Sequence, residues 1–349
     1  DATDTIYDFS PKHFLAELAE KLHLRGEALN RRIYALAESA ANDVRWVRSA
    51  GLGGFGLDAQ WNDDFHHALR QTLTGERRGY FADYPDFQHL VRSLAEGFVY
   101  QGEYSAYRRR AHGSPSREIP PERFIVCCQN HDQVGNRLKG DRLGHAVDLS
   151  RLKLAAAWVL LSPYVPLLFM GEDYNEPAPF PYFVSHGDPD LVAAVREGRK
   201  KEFAAFAWEG EPPDPQSEGT YLSAKIQPDL RHSGPPAELF RFYRELIRLR
   251  KHLPPLTSLS RREIHVEADE AGRVVWASRR FQNQECVLAF AFGENEARMP
   301  YPFASGRFRK HIDSSKPGPQ SEAREIQLLH KEIVTVAPHS VLLLERCFE

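Results

Sequence analysis

Asn130, His131 and Asp132 follow almost directly on a short apolar run, Phe124 to Cys128. A run that is apolar at consecutive positions reads as a strand covered on both faces, as in a parallel sheet with helices outside. A polar cluster at the carboxyl end of such a strand is where α/β barrels carry their chemistry. Glu38 closes the segment 32–37 in the same way, a short apolar strand stopped by a carboxylate. Asp1 precedes Ala2, Thr3 and Asp4, shortly before a helix opening at Ser10 and Pro11, so it sits where a strand would just have ended. Carboxylates from different strand ends can converge on one sugar ring. Glycoside hydrolysis needs that convergence, with one carboxyl protonated and one ionised across the scissile bond. Taken alone, Asn130–Asp132 also reads as an ordinary turn with a helix cap.

The elements that must position these side chains follow from periodicity and punctuation. Residues 10–23 read as a helix capped by Ser10, with Pro11 in its first turn and Phe14, Leu15, Leu18 and Leu22 on one apolar face. Strand 32–37 comes next, then a glycine-rich turn from Gly51 to Gly56 and a very short strand over 55–58. A polar loop with Trp61 leads into a helix start, and the Asp and His residues here are expected on the same rim as Glu38. Trp61 beside Asp63 suits either stacking on a sugar face or core packing. His66 and His67 read as a capping pair or as ligand contacts. A helix over 86–98 turns Phe87, Leu90, Val91 and Leu94 inward, and Tyr104 to Glu122 reads as a loop.

Strand 124–129 carries the opening motif, Leu138 to Asp148 forms another rim loop, and Ser150 caps an apolar helix from Leu152 to Leu161. Val165 to Met170 is one more buried strand, ending in Glu172 and Asp173; Glu172 either braces the rim or binds substrate. Residues 174–235 form a long polar excursion with aromatic anchors between Pro177 and His186 and a helix over 189–206. An amphipathic helix from Pro236 to His252 closes the region. Alternating strands and helices at these spacings fit βα units. At most four strands are present, over 32–37, 55–58, 124–129 and 165–170, against the eight of a closed barrel. Beyond Pro255 the pattern turns to strands separated by turn residues. The expected fold class is α/β: the C-terminal half of a (β/α)8 barrel over 1–255, followed by an all-β antiparallel sandwich over 256–349.

The 349 residues suffice for one large and one small domain. A formal net charge of −3 supplies no basic field for nucleic acid. No stretch approaches the roughly 18 consecutive apolar residues of a membrane span, and no signal peptide is visible. The first residue is not Met, so the chain is expected to be processed or a fragment. Cys127, Cys128, Cys286 and Cys347 show no C-x-x-C and no His/Cys ligand spacing. Buried free thiols of a cytoplasmic protein are expected, with no metal site.

Asp1-Ala2, Ala37-Glu38-Ser39 and Asn130-His131-Asp132 resemble, in this order, three signature motifs of the α-amylase superfamily, glycoside hydrolase family 13. The segments Leu57–His67, Phe169–Tyr174 and Phe183–Asp188 resemble its maltooligosyltrehalose trehalohydrolase (glycosyltrehalose trehalohydrolase) branch. The similarity runs over essentially the whole chain. It implies a retaining glycosidase that cuts the α-1,4 bond next to the trehalose end of a maltooligosyltrehalose and releases trehalose, with no cofactor. Asp1 matches the nucleophile, Glu38 the acid/base and Asp132 the carboxylate that stabilises the transition state. His131 would bind the sugar being cleaved. Asp58, Trp61, Asn62, Asp63, Asp64, Asn130 and Gln133 would contact the α-glucan. A retaining site would hold the Asp1 and Glu38 carboxyls about 5–5.5 Å apart.

The family's chain continues upstream of the nucleophile, with an Arg shortly before it. The expected partner is therefore a missing N-terminal portion of the same protein, and a chain that truly began at Asp1 would be inactive alone. Two other readings stay open: a related α-glucan enzyme such as a branching transferase, and a truncated, non-catalytic glucan-binding fragment.

Overall fold

The computed structural model describes residues 1–205, 210–316 and 324–347. In chain order the first strands are β1 (Leu36–Ala37), β2 (Ala59–Trp61), the pair β3 (Gln101–Ser105) and β4 (Arg110–Gly113), β5 (Phe124–Val126) and β6 (Val165–Pro166). β1, β2, β5 and β6 form one parallel sheet in that order, with Ala37 opposite Gln60, Trp61 opposite Ile125 and Val126 opposite Pro166. Pro166 lacks an N–H and sits on an edge strand, where no ladder bond is lost.

Helices supply the crossovers. They are α1 (Phe14–Ala28), α2 (Asp63–Thr74), α3 (Phe87–Ala95), the single turn α4 (His131–Gly135), α5 (Leu149–Leu160), α6 (Pro189–Ala205), α7 (Glu218–Ser223), α8 (Gly234–His252) and α9 (Pro254–Thr257). Leu15, Phe65, Leu69, Leu90, Trp158 and Leu246 bury one face of the sheet, sharing a core with Phe124 and Val126. The other face is open. Tyr34, Leu36, Ala59, Ile125 and Val165 line a hollow of about 480 Å³, and Leu36 is 51% exposed.

Downstream strands are antiparallel: β7 (Ile264–Asp269), β8 (Val274–Phe281), β9 (Gln284–Ala291), β10 (Ala297–Pro300), β11 (Gly306–Asp313), β12 (Arg324–Leu328), β13 (Ile333–Val336) and β14 (Ser340–Arg346). Six of them order as β12-β11-β14-β9-β8-β7, and β10 pairs with β13. Alternate residues of β8 and β9 serve two cores. Val275, Ala277, Leu288 and Phe290 pack toward the helices, whereas Val274, Trp276, Val287 and Ala289 pack with Met299 and Val336 of the small sheet and with Tyr301 just beyond β10.

Two guanidinium groups join the layers at the end of α5, where a helix leaves carbonyls unpaired. Arg250 donates to the carbonyls of Leu160, Ser162 and Tyr164. Arg279, from β8, donates to those of Leu161 and Ser162 and to those of Leu256 and Ser258.

Several boundaries depart from the sequence reading. α1 starts at Phe14, capped by the His13 ring, because Ser10 turns its hydroxyl to the Lys12 carbonyl instead. Its buried face is Leu15 and Ala19; Phe14 stays half exposed. Asp148, not Ser150, caps α5, its carboxylate accepting from the Arg151 N–H at 2.9 Å. Residues 101–113, read mostly as loop, form the β3–β4 hairpin. The helix expected over 189–206 is α6, and residue 206 itself lies outside the described residues. The strand expected over 55–58 is instead β2, which begins at Ala59, just past the expected end.

Candidate active site

The site is built at the carboxyl ends of β1, β2 and β5. Behind β5 the chain runs through buried Cys127, Cys128 and Gln129 to Asn130. Asn130 caps α4: its side-chain oxygen accepts from the Gln133 N–H at 2.7 Å. That cap sets His131 and Asp132 on the exposed first turn. The two readings of this motif are therefore compatible, since the capped turn is what presents the chemistry. Glu38 follows β1, and its carbonyl accepts from both the Thr3 N–H (2.9 Å) and the Thr3 hydroxyl (3.0 Å). The segment carrying Asp1 is thereby tied to the end of β1.

Glu38, His131 and Asp132 bring polar side-chain atoms within 4.8 Å of one another. Burial raises the Glu38 pKa, and the Asp132 charge raises it further, with His131 opposing. Glu38 is thus held toward its protonated form beside Asp132. The same spacing of two carboxyls and an imidazole would also admit a cation.

Because β2 lies between β1 and β5, Trp61 and Asp63 stand between the two acids. The Trp61 ring meets the His131 ring edge-on at 5.9 Å. Asp63, the first residue of α2, has its pKa pushed up to about 7, by burial first and then by the charges of Asp64 and Asp132, with Arg108 opposing. Gln133 accepts from the Tyr80 hydroxyl at 3.1 Å on the rim beside Asp132.

Four residues expected on the glucan do other work. Asp64 is buried, and its carboxylate accepts from the Tyr84 hydroxyl, the Asn42 amide and the Val99 and Tyr100 N–H groups. Asn62 is buried, caps α2 and donates to the Gly97 carbonyl at 2.9 Å. Asn130 is the buried cap just described. Asp58 lies at the other end of the sheet, holding the Ala35 N–H at 2.7 Å and the His23 ring at 2.9 Å. It precedes β2 instead of ending it.

His66 and His67 are also off the rim. Both are buried on α2, with burial pressing their pKa values down, and the His67 ring stacks on Tyr80 at 4.2 Å. Glu172 is a brace, accepting from the Tyr243 hydroxyl at 3.2 Å and from the Cys128 thiol at 3.5 Å. Tyr80 and Arg108 gave no sequence signal: Arg108 sits in the hairpin read as loop, and Tyr80 carries no recognisable spacing to Gln133.

A parallel α/β sheet with acids converging at its carboxyl ends, followed by an antiparallel sheet domain, defines an α-amylase-type architecture, and the chain belongs to the α-amylase superfamily. Within it, the chain aligns with malto-oligosyltrehalose trehalohydrolases. That of Saccharolobus solfataricus is 37% identical over 324 residues, covering 93% of this chain and 53% of the relative. That of Arthrobacter ramosus is 41% identical, covering 80% and 48%. A solved structure from Salmonella typhimurium, described as an α-amylase candidate, superposes with a TM-score of 0.83 at 34% identity, covering 99% of this chain and 56% of that one. The chain spans about half the length of the curated relatives it matches. No family model matches it.

Proposed function

We propose that the chain is the acid/base-bearing part of a retaining glycosidase that cuts the α-1,4 bond next to the trehalose end of a maltooligosyltrehalose. The observation that carries this reading is the meeting of Glu38, His131 and Asp132 within 4.8 Å from strand ends far apart in sequence. In this reading protonated Glu38 gives its proton to the glycosidic oxygen as the bond to the anomeric carbon breaks. The Asp1 carboxylate attacks that carbon and forms a glycosyl ester. Glu38, now ionised, takes a proton from water, which attacks the ester, frees the glucan and restores both carboxyls. The Asp132 charge faces the oxocarbenium-like transition state, and Trp61 with His131 walls the sugar.

On this reading residues 1–255 are the C-terminal half of a (β/α)8 barrel and 256–349 a sandwich. An amino-terminal portion of the protein would supply the remaining strands over the open hollow. Its four cysteines are free, which suits a reducing, cytoplasmic setting. Among the described residues no helix is long and apolar enough to cross a membrane.

The test is incubation of the full-length protein carrying this chain with maltooligosyltrehalose. Free trehalose is expected as product, and Glu38→Gln is expected to lower its release by at least roughly 1,000-fold, since the amide can neither donate the proton nor take it back. Persistent release by the Gln variant would remove Glu38 from its role.

A further inference from the structure

We propose that Arg108 and Asp63 form a clamp for the hydroxyl groups of the sugar unit on the leaving side of the scissile bond, an inference that rests on the glycosidase reading and extends it to specificity. Tyr107 and Arg108 form the tip of the β3–β4 hairpin. The tip is anchored: the Arg108 N–H donates to the Ser105 hydroxyl at 3.0 Å, and that hydroxyl donates to Asp83 at 2.5 Å. On one side the Tyr107 ring meets Tyr80 edge-on at 6.1 Å, and Tyr80 bonds Gln133 beside Asp132. On the other side Arg108 Nη2 reaches the Ala40 carbonyl, two residues past Glu38, at 3.5 Å. The tip therefore spans the rim from the Asp132 side to the Glu38 side.

The guanidinium is under-used for a group so placed. Nη1 is buried without a hydrogen-bond partner, the Nη2 contact is at the limit of a hydrogen bond, and Arg108 makes no ion pair among the described residues. Leaving a partly buried donor unmatched is unfavourable, and more so for a charged one. Asp63 opens α2 just past β2, between the strands that carry Glu38 and Asp132 and within electrostatic reach of Arg108; no hydrogen bond to its side chain forms among the described residues.

A fixed donor fork beside a free carboxylate matches neighbouring sugar hydroxyls, each of which both gives and accepts a hydrogen bond. The side follows from the acid. Glu38 protonates the leaving oxygen, so the leaving sugar lies toward Glu38, and Arg108 is docked on the loop just beyond it.

The experiment compares Arg108→Met, Arg108→Lys and Asp63→Asn with the wild type in the full-length protein. The readouts are kcat/KM for maltooligosyltrehalose, kcat/KM for a plain maltooligosaccharide of equal length, and inhibition by trehalose. Arg108→Met is expected to lower kcat/KM on the trehalose-ended substrate by roughly 10- to 100-fold and to weaken trehalose inhibition in step, with a smaller loss on the plain glucan. Arg108→Lys keeps the charge without the fork, so an intermediate loss is expected; it also carries the test if the Met variant does not fold. Adding Asp63→Asn to Arg108→Met should cost less than the two single effects combined. Equal losses on both substrates, unchanged trehalose inhibition, or full additivity would overturn the clamp while leaving the glycosidase reading intact. A wild type that releases no trehalose would overturn the reading and the clamp together.

Discussion

Two carboxyls whose oxygens lie within 4.8 Å of each other cannot both ionise cheaply, and the Glu38–Asp132 pair uses that fact. Burial is the larger influence on Glu38 and the Asp132 charge the second. Asp132→Asn removes the second and leaves the first. The raised pKa of Glu38 should therefore fall toward the ordinary carboxylate range. Loss of the Glu38 proton sets the basic limb of the kcat/KM profile, so that limb should move to lower pH in the variant, compared with the wild type at each enzyme's own maximum. The maximum itself should fall by roughly 100-fold or more, because a charge facing the transition state is gone. A basic limb unmoved by Asp132→Asn would mean that another group controls it, with Asp63, held up to about 7, the first to examine. At the same scale Asp64 and Asn62 teach caution: both are acid or amide neighbours of the site in sequence, yet helix capping and buried N–H groups consume them.

At the scale of elements, Glu172 shows how the sheet is fastened to its helices. It follows β6, and its carboxyl meets the Tyr243 hydroxyl of α8 and the Cys128 thiol beyond β5. Burial pushes its pKa up to about 8 from an ordinary 4.5. Between those two values the folded chain holds a proton that the unfolded chain has released, so stability falls as pH rises through the window and levels off above about 8. Glu172→Gln keeps a neutral hydrogen-bonding side chain and should flatten that slope, leaving the variant the more stable of the two at pH above about 8. Urea midpoints across this range measure it, and an unchanged slope would show that Glu172 is not the titrating group. The elements also mark what the sequence could disclose. β5 with Asn130–Asp132 was legible because a continuous apolar run breaks abruptly into polar residues. β2 was misplaced because Phe55 and Leu57 imitate a strand, and a strand of three residues has no period to correct the error. Asp58 was carried to the wrong end of the sheet as a result. The hairpin was missed because Tyr104 is exposed, so no alternation of apolar and polar residues announces it.

For the whole molecule, the decisive feature is the sheet face that no helix covers among the described residues. β1 and β6 each have one strand neighbour among the described residues, which leaves a ladder edge open at both sides. Between them lies the hollow lined by Tyr34, Leu36, Ala59, Ile125 and Val165. Open strand edges and a continuous apolar face both favour association with another chain. The helical side and the antiparallel sheets, by contrast, close on their own cores, so the chain has a reason to fold locally even with this face uncovered. Produced alone, it is expected to bind a hydrophobic dye such as ANS strongly and to elute larger than a 39.8 kDa monomer. Co-produced with the amino-terminal portion proposed to cover the hollow, it should bind several-fold less dye and give a single one-to-one species by light scattering. Substituting Leu36→Glu should weaken that pairing, since a charge would replace an apolar side chain on the surface to be covered. Leu52→Glu is the control, because Leu52 is 76% exposed in a turn away from the sheet and does not line the hollow. If the isolated chain is monomeric and dye-silent, or if both substitutions act alike, the open face is not a docking surface and the barrel-completion reading fails with it.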